Sequence, residues 1–173
     1  MARIVFITGG ARSGKSRLAE SITEACGGPL GYLATAGAGD AEMAERIARH
    51  QARRGGEWQT MEEPLDITSV LQGHDGYFNA ILLDCVTLWL TNLLLAFDDP
   101  AAVMARVKEL TALFPGLTST LVIVSSEVGM GIVPENRLAR LFRDLAGEAN
   151  QLLAEAADEV YVTFSGLPLK IKG

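Results

Sequence analysis

Eight consecutive residues, Gly9, Gly10, Ala11, Arg12, Ser13, Gly14, Lys15 and Ser16, carry the strongest chemical signal in the chain. They fit the pattern G-x-x-x-x-G-K-[ST]. Its glycines let backbone N–H groups approach phosphate oxygens, its lysine neutralises the β- and γ-phosphates, and its terminal hydroxyl joins a Mg2+ shell. Such a loop is informative when it links a strand to a helix, whose N-terminus adds partial positive charge. The apolar stretch Arg3 to Thr8 precedes it and the helical pattern from Lys15 follows it, so the context is the confirming one. The chemistry predicted is binding of a nucleoside triphosphate with Mg2+, with Lys15 acting on the phosphates.

A second carboxylate-bearing position completes that reading. Asp84 ends the apolar run Ala80 to Asp84, where a buried strand would present it to the Mg2+ already contacted by Ser16. An aspartate before a helix also serves as a cap, and only the phosphate loop tips the balance to the metal role. Of the two histidines, His50 stands between Arg46 and Arg54, four residues away on either side and on one helix face. An imidazole flanked by guanidinium groups is a workable nucleophile for phosphorus. A solvated basic helix explains the same residues, and from residue types alone both readings stand. His74, within QGHDGY, reads as a loop residue with no evident partner.

Positioning these groups requires strands and helices in alternation. Strands are predicted over Arg3–Thr8, Gly31–Ala36, Trp58–Glu63, Ala80–Asp84, Ser119–Ser125 and Glu159–Phe164. Helices are predicted over Lys15–Cys26, Ala41–Arg54, Val86–Ala96, Ala101–Leu113 and Pro134–Ala157. In the last of these, Leu138, Leu141, Phe142, Leu145, Ala149, Leu152, Leu153 and Ala156 form one apolar face. The alternation predicts an α/β fold with a mainly parallel sheet, helices on both faces and ligands at the carboxyl ends of the strands.

Length and composition bound the rest. With 173 residues, 49% of them hydrophobic, the chain suits one domain covering 1–173. A net charge of −6 argues against a nucleic-acid surface, which needs clustered Lys and Arg. Cys26 and Cys85 have neither disulfide nor zinc spacing, which suits a reducing cytoplasm. The N-terminus lacks the features of a secretion signal, and the longest apolar runs are broken by Asp84, Thr87, Thr91 and Asn92, so no membrane-spanning segment is expected.

Over nearly its whole length the chain resembles the adenosylcobinamide kinase/guanylyltransferases. The segments that carry the resemblance occur in order: FITGGARSGKSRLAE, YLATA, EMAERIARHQARR with WQTMEEP after it, ILLDCVTLWLTNLL, and the long run SEVGMGIVPENRLARLFRDLAGEANQLLAEAADEVY. The resemblance implies a three-layer P-loop NTPase fold of RecA-like type. It also implies two reactions: phosphorylation of the aminopropanol hydroxyl of adenosylcobinamide by GTP or ATP, then transfer of GMP from GTP to give adenosylcobinamide-GDP and pyrophosphate. By the same similarity the second reaction passes through a guanylylated His50. The nucleotide site would comprise Gly9 to Ser16 together with Ala34, Thr35, Ala36, Gln51, Ala52, Arg53, Arg54, Glu62 and Asp84, with Ser16 and Asp84 on Mg2+. The implied partners are a corrinoid substrate and copies of the chain itself, a trimer by resemblance.

Three features lie beside that picture. Glu127 follows an apolar strand and is either a contact to substrate or Mg2+ or a solvated loop carboxylate. The loop between Leu113 and Thr120 is short and the tail SGLPLKIKG has no assigned element, so a corrinoid- or subunit-contacting insertion would be missing there. A P-loop kinase of another small metabolite would share Gly9–Ser16 and Asp84 but give His50 no covalent role. A GTPase switch would need N-K-x-D, which is absent, and D-x-x-G at the Mg2+ carboxylate, where Asp84 is instead followed by Cys85, Val86 and Thr87; a DNA-driven motor would need a basic track, which the charge balance does not support.

Overall fold

A computed structural model describes residues 2–36 and 56–173. Its elements, in chain order, are β1 (Ile4–Gly9), α1 (Lys15–Glu24), β2 (Leu30–Ala34), β3 (Trp58–Glu62), α2 (Ile67–His74), β4 (Ala80–Asp84), α3 (Val86–Phe97), α4 (Pro100–Leu113), β5 (Thr120–Val124), α5 (Arg137–Ala156), β6 (Glu159–Phe164) and β7 (Leu167–Lys172). The strands form one seven-stranded sheet in the order β3-β2-β4-β5-β1-β6-β7. Every pairing is parallel except β6–β7, which is antiparallel.

The strands are apolar on both sides because both sides are covered. Ile4 and Phe6 of β1 enter one core with Leu33, Leu83, Ile123 and residues of α2 to α5. Val5 and Ile7, one residue out of phase, enter a second core with Tyr32, Leu82, Val122 and Ala19 of α1. This is the period-two consequence of a pleated strand, and it yields the three layers expected for a doubly covered parallel sheet. No helix of the described residues is long and apolar enough to cross a membrane.

Helix starts follow local chemistry. Asp66 accepts from the Ser69 N–H and starts α2; Asp99 accepts from the Ala101 N–H with Pro100 in the first turn of α4; Asn136 accepts from the Ala139 N–H and starts α5. The Asn136 cap places the beginning of α5 at Arg137, three residues later than the proline suggested. Leu138 and Leu141, expected on its core face, are exposed, because the start of α5, residues 137–141, is exposed on every side; Leu145, Ala149 and Leu153 are buried as expected.

Two elements were not anticipated. One is α2, eight residues long with its signal in the Asp66 cap; it places His74 in a last helical turn rather than in a loop. The His74 ring has partners: Nδ1 lies 2.9 Å from the Val70 carbonyl oxygen and the ring stacks on Phe78. The other is β7, built from the tail. Ser165 and Gly166 both have positive φ, 53° and 81°, the two-residue turn geometry that suits the twist of a hairpin.

Candidate nucleotide site

The phosphate loop sits where β1 runs out at the carboxyl edge of the sheet. Gly9 has φ 153°, and a Cβ there would lie 2.5 Å from the Thr163 hydroxyl oxygen and 2.6 Å from the Thr163 carbonyl oxygen. Gly14 has φ 99°, and a Cβ would meet the Gly166 Cα at 3.0 Å. Glycine is therefore required at both positions by backbone conformation and by the closeness of the β6–β7 hairpin. The hairpin also bonds to the loop: the Ser13 and Thr163 hydroxyls are 2.7 Å apart, and the Gly166 N–H donates to the Ser13 carbonyl at 2.9 Å. On the other flank the Glu127 N–H donates to the Gly9 carbonyl at 2.9 Å.

Held this way, the loop leaves its binding groups at the mouth. Lys15, nearly buried, turns back so that Nζ donates to the Gly10 carbonyl at 2.6 Å. Gly14 caps α1 with no side-chain hydrogen bond, in contrast to Asp66, Asp99 and Asn136 on three other helices. The first N–H groups of α1 thus point into a site that an anion would satisfy, with the helix dipole favouring negative charge. Ser16, half-buried, is in that first turn, while Ala11 and Arg12 form the exposed crest of the loop, Arg12 at φ 53°.

Asp84 is placed in relation to this loop by register. Ile7 is level with Val124, Val124 with Asp84, Asp84 with Ala34, and Ala34 with Glu62. One row across the sheet therefore brings Glu62, Ala34 and Asp84 to the edge from which the phosphate loop departs. Strands lie about 4.8 Å apart, so Asp84 is roughly 10 Å to the side of β1. The gap is spanned by α1, which packs over β1, β5 and β4. The half-buried Asp84 carboxylate accepts from the Tyr32 hydroxyl at 3.1 Å, and the Asp84–Cys85 peptide is cis.

Among the described residues no group of three or more His, Cys, Asp or Glu is assembled to hold a metal. That donor set does not form a protein cage, but it fits Mg2+, which keeps its waters and takes one or two carboxylates beside substrate phosphates. Asp84 and the Ser16 hydroxyl are the groups here that would hold it.

The other predicted site residues divide. Ala34, Thr35 and Ala36 are buried, and Thr35 is committed to the scaffold: its hydroxyl donates to the Cys85 carbonyl at 2.8 Å and accepts from the Cys85 N–H at 3.0 Å. What this segment offers a ligand is backbone and shape. Glu62 is exposed at the end of β3. His50, Gln51, Ala52, Arg53 and Arg54, together with Arg46, lie outside the described residues.

Sequence reasoning passed over the residues that fix this edge. Asn92, noted only as an interruption of an apolar run, donates from Nδ2 to the carbonyls of Thr35 (2.8 Å) and Pro64 (3.1 Å), tying the ends of β2 and β3 together. The buried Ser125 hydroxyl donates to Asn150 Oδ1 at 2.7 Å, and the Thr87 hydroxyl accepts from the Ser126 N–H at 2.7 Å, joining β5, α3 and α5 behind Asp84. The available signal was a polar side chain in an otherwise apolar helical stripe, which once buried requires a partner.

The chain is matched by the model of the family described as cobinamide kinase / cobinamide phosphate guanyltransferase, over residues 5–171. It is similar to the bifunctional adenosylcobalamin biosynthesis protein CobP of Pseudomonas aeruginosa, 46% identical over 168 residues that cover 97% of this chain and 96% of the relative. Two proteins named bifunctional adenosylcobalamin biosynthesis protein CobU also match. That of Salmonella typhimurium is 44% identical and that of Escherichia coli 41% identical, each over 181 residues covering 98% of this chain and 99% of the relative.

Proposed function

The chain belongs to the cobinamide kinase / cobinamide phosphate guanyltransferase family, and from that premise we propose that both reactions run through one nucleotide site at the carboxyl edge of the sheet. In the first, the aminopropanol hydroxyl of adenosylcobinamide attacks the γ-phosphorus of GTP or ATP, and the nucleoside diphosphate leaves. In the second, an imidazole nitrogen of His50 attacks the α-phosphorus of GTP and pyrophosphate leaves. The phosphate of adenosylcobinamide phosphate then attacks the same phosphorus, the P–N bond breaks, and adenosylcobinamide-GDP is formed.

The observation that carries this reading is the uncapped start of α1 behind Gly9–Ser16, with Lys15 Nζ held across its own loop. Phosphoryl transfer asks the protein mainly for positioning and charge neutralisation. Here the α1 N–H groups and Lys15 receive the phosphates, and Ser16 and Asp84 would hold Mg2+, which would neutralise further charge on them. Ala34, Thr35, Ala36, Glu62 and residues 51–54 complete the nucleotide contacts. The enzyme works in the cytoplasm as a single domain over 1–173 and as a homo-oligomer, a trimer by family resemblance. Two free cysteines and the continuity of one sheet support the compartment and the domain reading.

The test is covalent labelling. With Mg2+ and GTP labelled at the α-phosphate, the wild-type protein is expected to retain acid-labile, alkali-stable label, and His50→Ala none. An unlabelled wild type would remove the histidine step and leave a P-loop kinase.

A further inference from the structure

Beside the phosphate loop, on the β6–β7 side, lies a groove of about 260 Å³ that the nucleotide reading does not use. Its floor is Thr8, Gly9 and Gly10, and Glu127 is the one charged residue in its lining among the described residues. Its walls are apolar and open to solvent: Met130 is 79% exposed, Phe164 53%, Leu169 56% and Ile171 57%. These are not core positions. Val162 pairs with Leu169, and Phe164 lies two residues on along β6, so they share one face of the hairpin. An apolar face on an edge strand left open in this way favours aggregation and is usually blunted by charge or cover.

Two polar observations point to an occupant with an oxygen-bearing end. Thr8 lines the groove, and its buried hydroxyl oxygen has no hydrogen-bond partner among the described residues, an arrangement that costs free energy until something supplies one. Glu127 is fixed by its backbone N–H on Gly9 and by Oε1 accepting from the Gly129 N–H at 2.9 Å; Gly129 is held in turn by Arg143 Nη2 at 2.7 Å from its carbonyl. A carboxylate has more lone pairs than that one bond uses.

We infer that this groove is the acceptor subsite: it receives the hydroxyl-bearing arm of the corrinoid against Thr8 and Glu127, with the macrocycle lying on Met130, Phe164, Leu169 and Ile171. The inference rests on the function proposed above. Because the groove shares Gly9 and Gly10 with the phosphate loop, an arm seated there ends on the flank of the bound triphosphate. In the kinase step the acceptor O–H proton passes to the Glu127 carboxylate as the acceptor O–P bond forms and the bond from the γ-phosphorus to its bridging oxygen breaks. Glu127 is then a catalytic residue, Thr8 fixes the arm, and the hairpin face sets specificity for a large apolar partner.

The experiment uses the full-length protein with cobinamide and a fluorescent GTP analogue, and follows Glu127→Gln, Thr8→Val and Ile171→Asp. Glu127→Gln should lower the kinase kcat about a hundredfold, the range expected for loss of a general base. Ile171→Asp should raise the cobinamide Kd about tenfold or more, by charging an apolar contact surface. Thr8→Val should raise it several-fold. All three should bind the GTP analogue as the wild type does. Unchanged cobinamide affinity in Ile171→Asp and Thr8→Val would overturn the subsite. So would an altered sedimentation coefficient in Ile171→Asp with cobinamide affinity intact, which would give this face to a second copy of the chain. A wild type that binds the GTP analogue but no cobinamide would instead bring down the substrate reading itself, and the subsite with it.

Discussion

The two edges of the parallel sheet are built on opposite principles. At the amino edge polar groups satisfy one another. The Asp75 carboxylate accepts from the Thr118 N–H and hydroxyl and from the Ser119 N–H, the Ser119 hydroxyl donates to the Phe78 carbonyl, and the Ile4 N–H donates to Asp158. At the carboxyl edge, around the phosphate loop, a helix starts without a side-chain cap, a buried threonine hydroxyl has no partner among the described residues and an ammonium group is folded onto its own loop. The first edge is complete without a ligand, and the second is completed by one. Substitutions should therefore cost stability at one edge and activity at the other.

The largest effect is expected from Lys15→Ala. Removing the cation that faces the phosphates should lower kcat for both reactions by about a thousandfold, the scale of losing a preorganised charge-stabilising donor, while the circular-dichroism spectrum stays that of the wild type. A matching loss of folded structure would break the comparison. Asp84→Asn should follow, with about a hundredfold loss in the kinase rate, most of it appearing as a raised Mg2+ requirement in a metal titration. An unchanged Mg2+ dependence would take Asp84 out of the metal site.

Thr35→Val sharpens the contrast, because this residue belongs to the carboxyl edge yet is fully buried and bonded to both sides of Cys85. It should behave like a residue of the closed edge and cost about 2–3 kcal/mol in denaturant unfolding, since the Cys85 groups lose their partner.

The smallest effect is expected at Asp75. Asp75→Ala should cost about 1–2 kcal/mol and leave kcat for both reactions unchanged. It should also change the acid limb of stability. Burial alone would push the Asp75 carboxyl up, but bonds from Ser119 and Thr118 more than offset this and hold it below its ordinary value near 3.8. Its contribution is therefore present above that value and lost as pH falls through the lower folded one. Unfolding curves collected from pH 5 down to pH 2 should show this slope in the wild type and a flatter one in the variant.

What the sequence made legible follows from how local the cause is. The strand-loop-helix around Gly9–Ser16 could be read because its residues are contiguous, and the place of Asp84 at a strand end because a buried strand ending in a carboxylate is a local pattern. Asn92 and Asn150 could not, since a polar residue in an apolar helix announces that a partner exists without saying which. Leu138 and Leu141 misled for the same reason: helical periodicity states which side is apolar but not how far the covering sheet extends. The tail was missed because LPLKIK pairs only once Ser165 and Gly166 turn it back, and a proline within a run weakens a strand pattern except at an edge, where β7 lies.

The brace between the phosphate loop and the hairpin has a consequence for the order in which the chain acquires its structure. Ser13 is tied to Thr163, 150 residues away, and β1 lies between β5 and β6, both contributed by the last third of the sequence. During synthesis β1 leaves the ribosome long before the strands it pairs with, and closing so long a loop must precede the reward of its contacts. A nascent chain halted before Gly166 would hold the whole GGARSGKS motif without its brace. Affinity for nucleotide should therefore arise abruptly, only as the β6–β7 hairpin emerges.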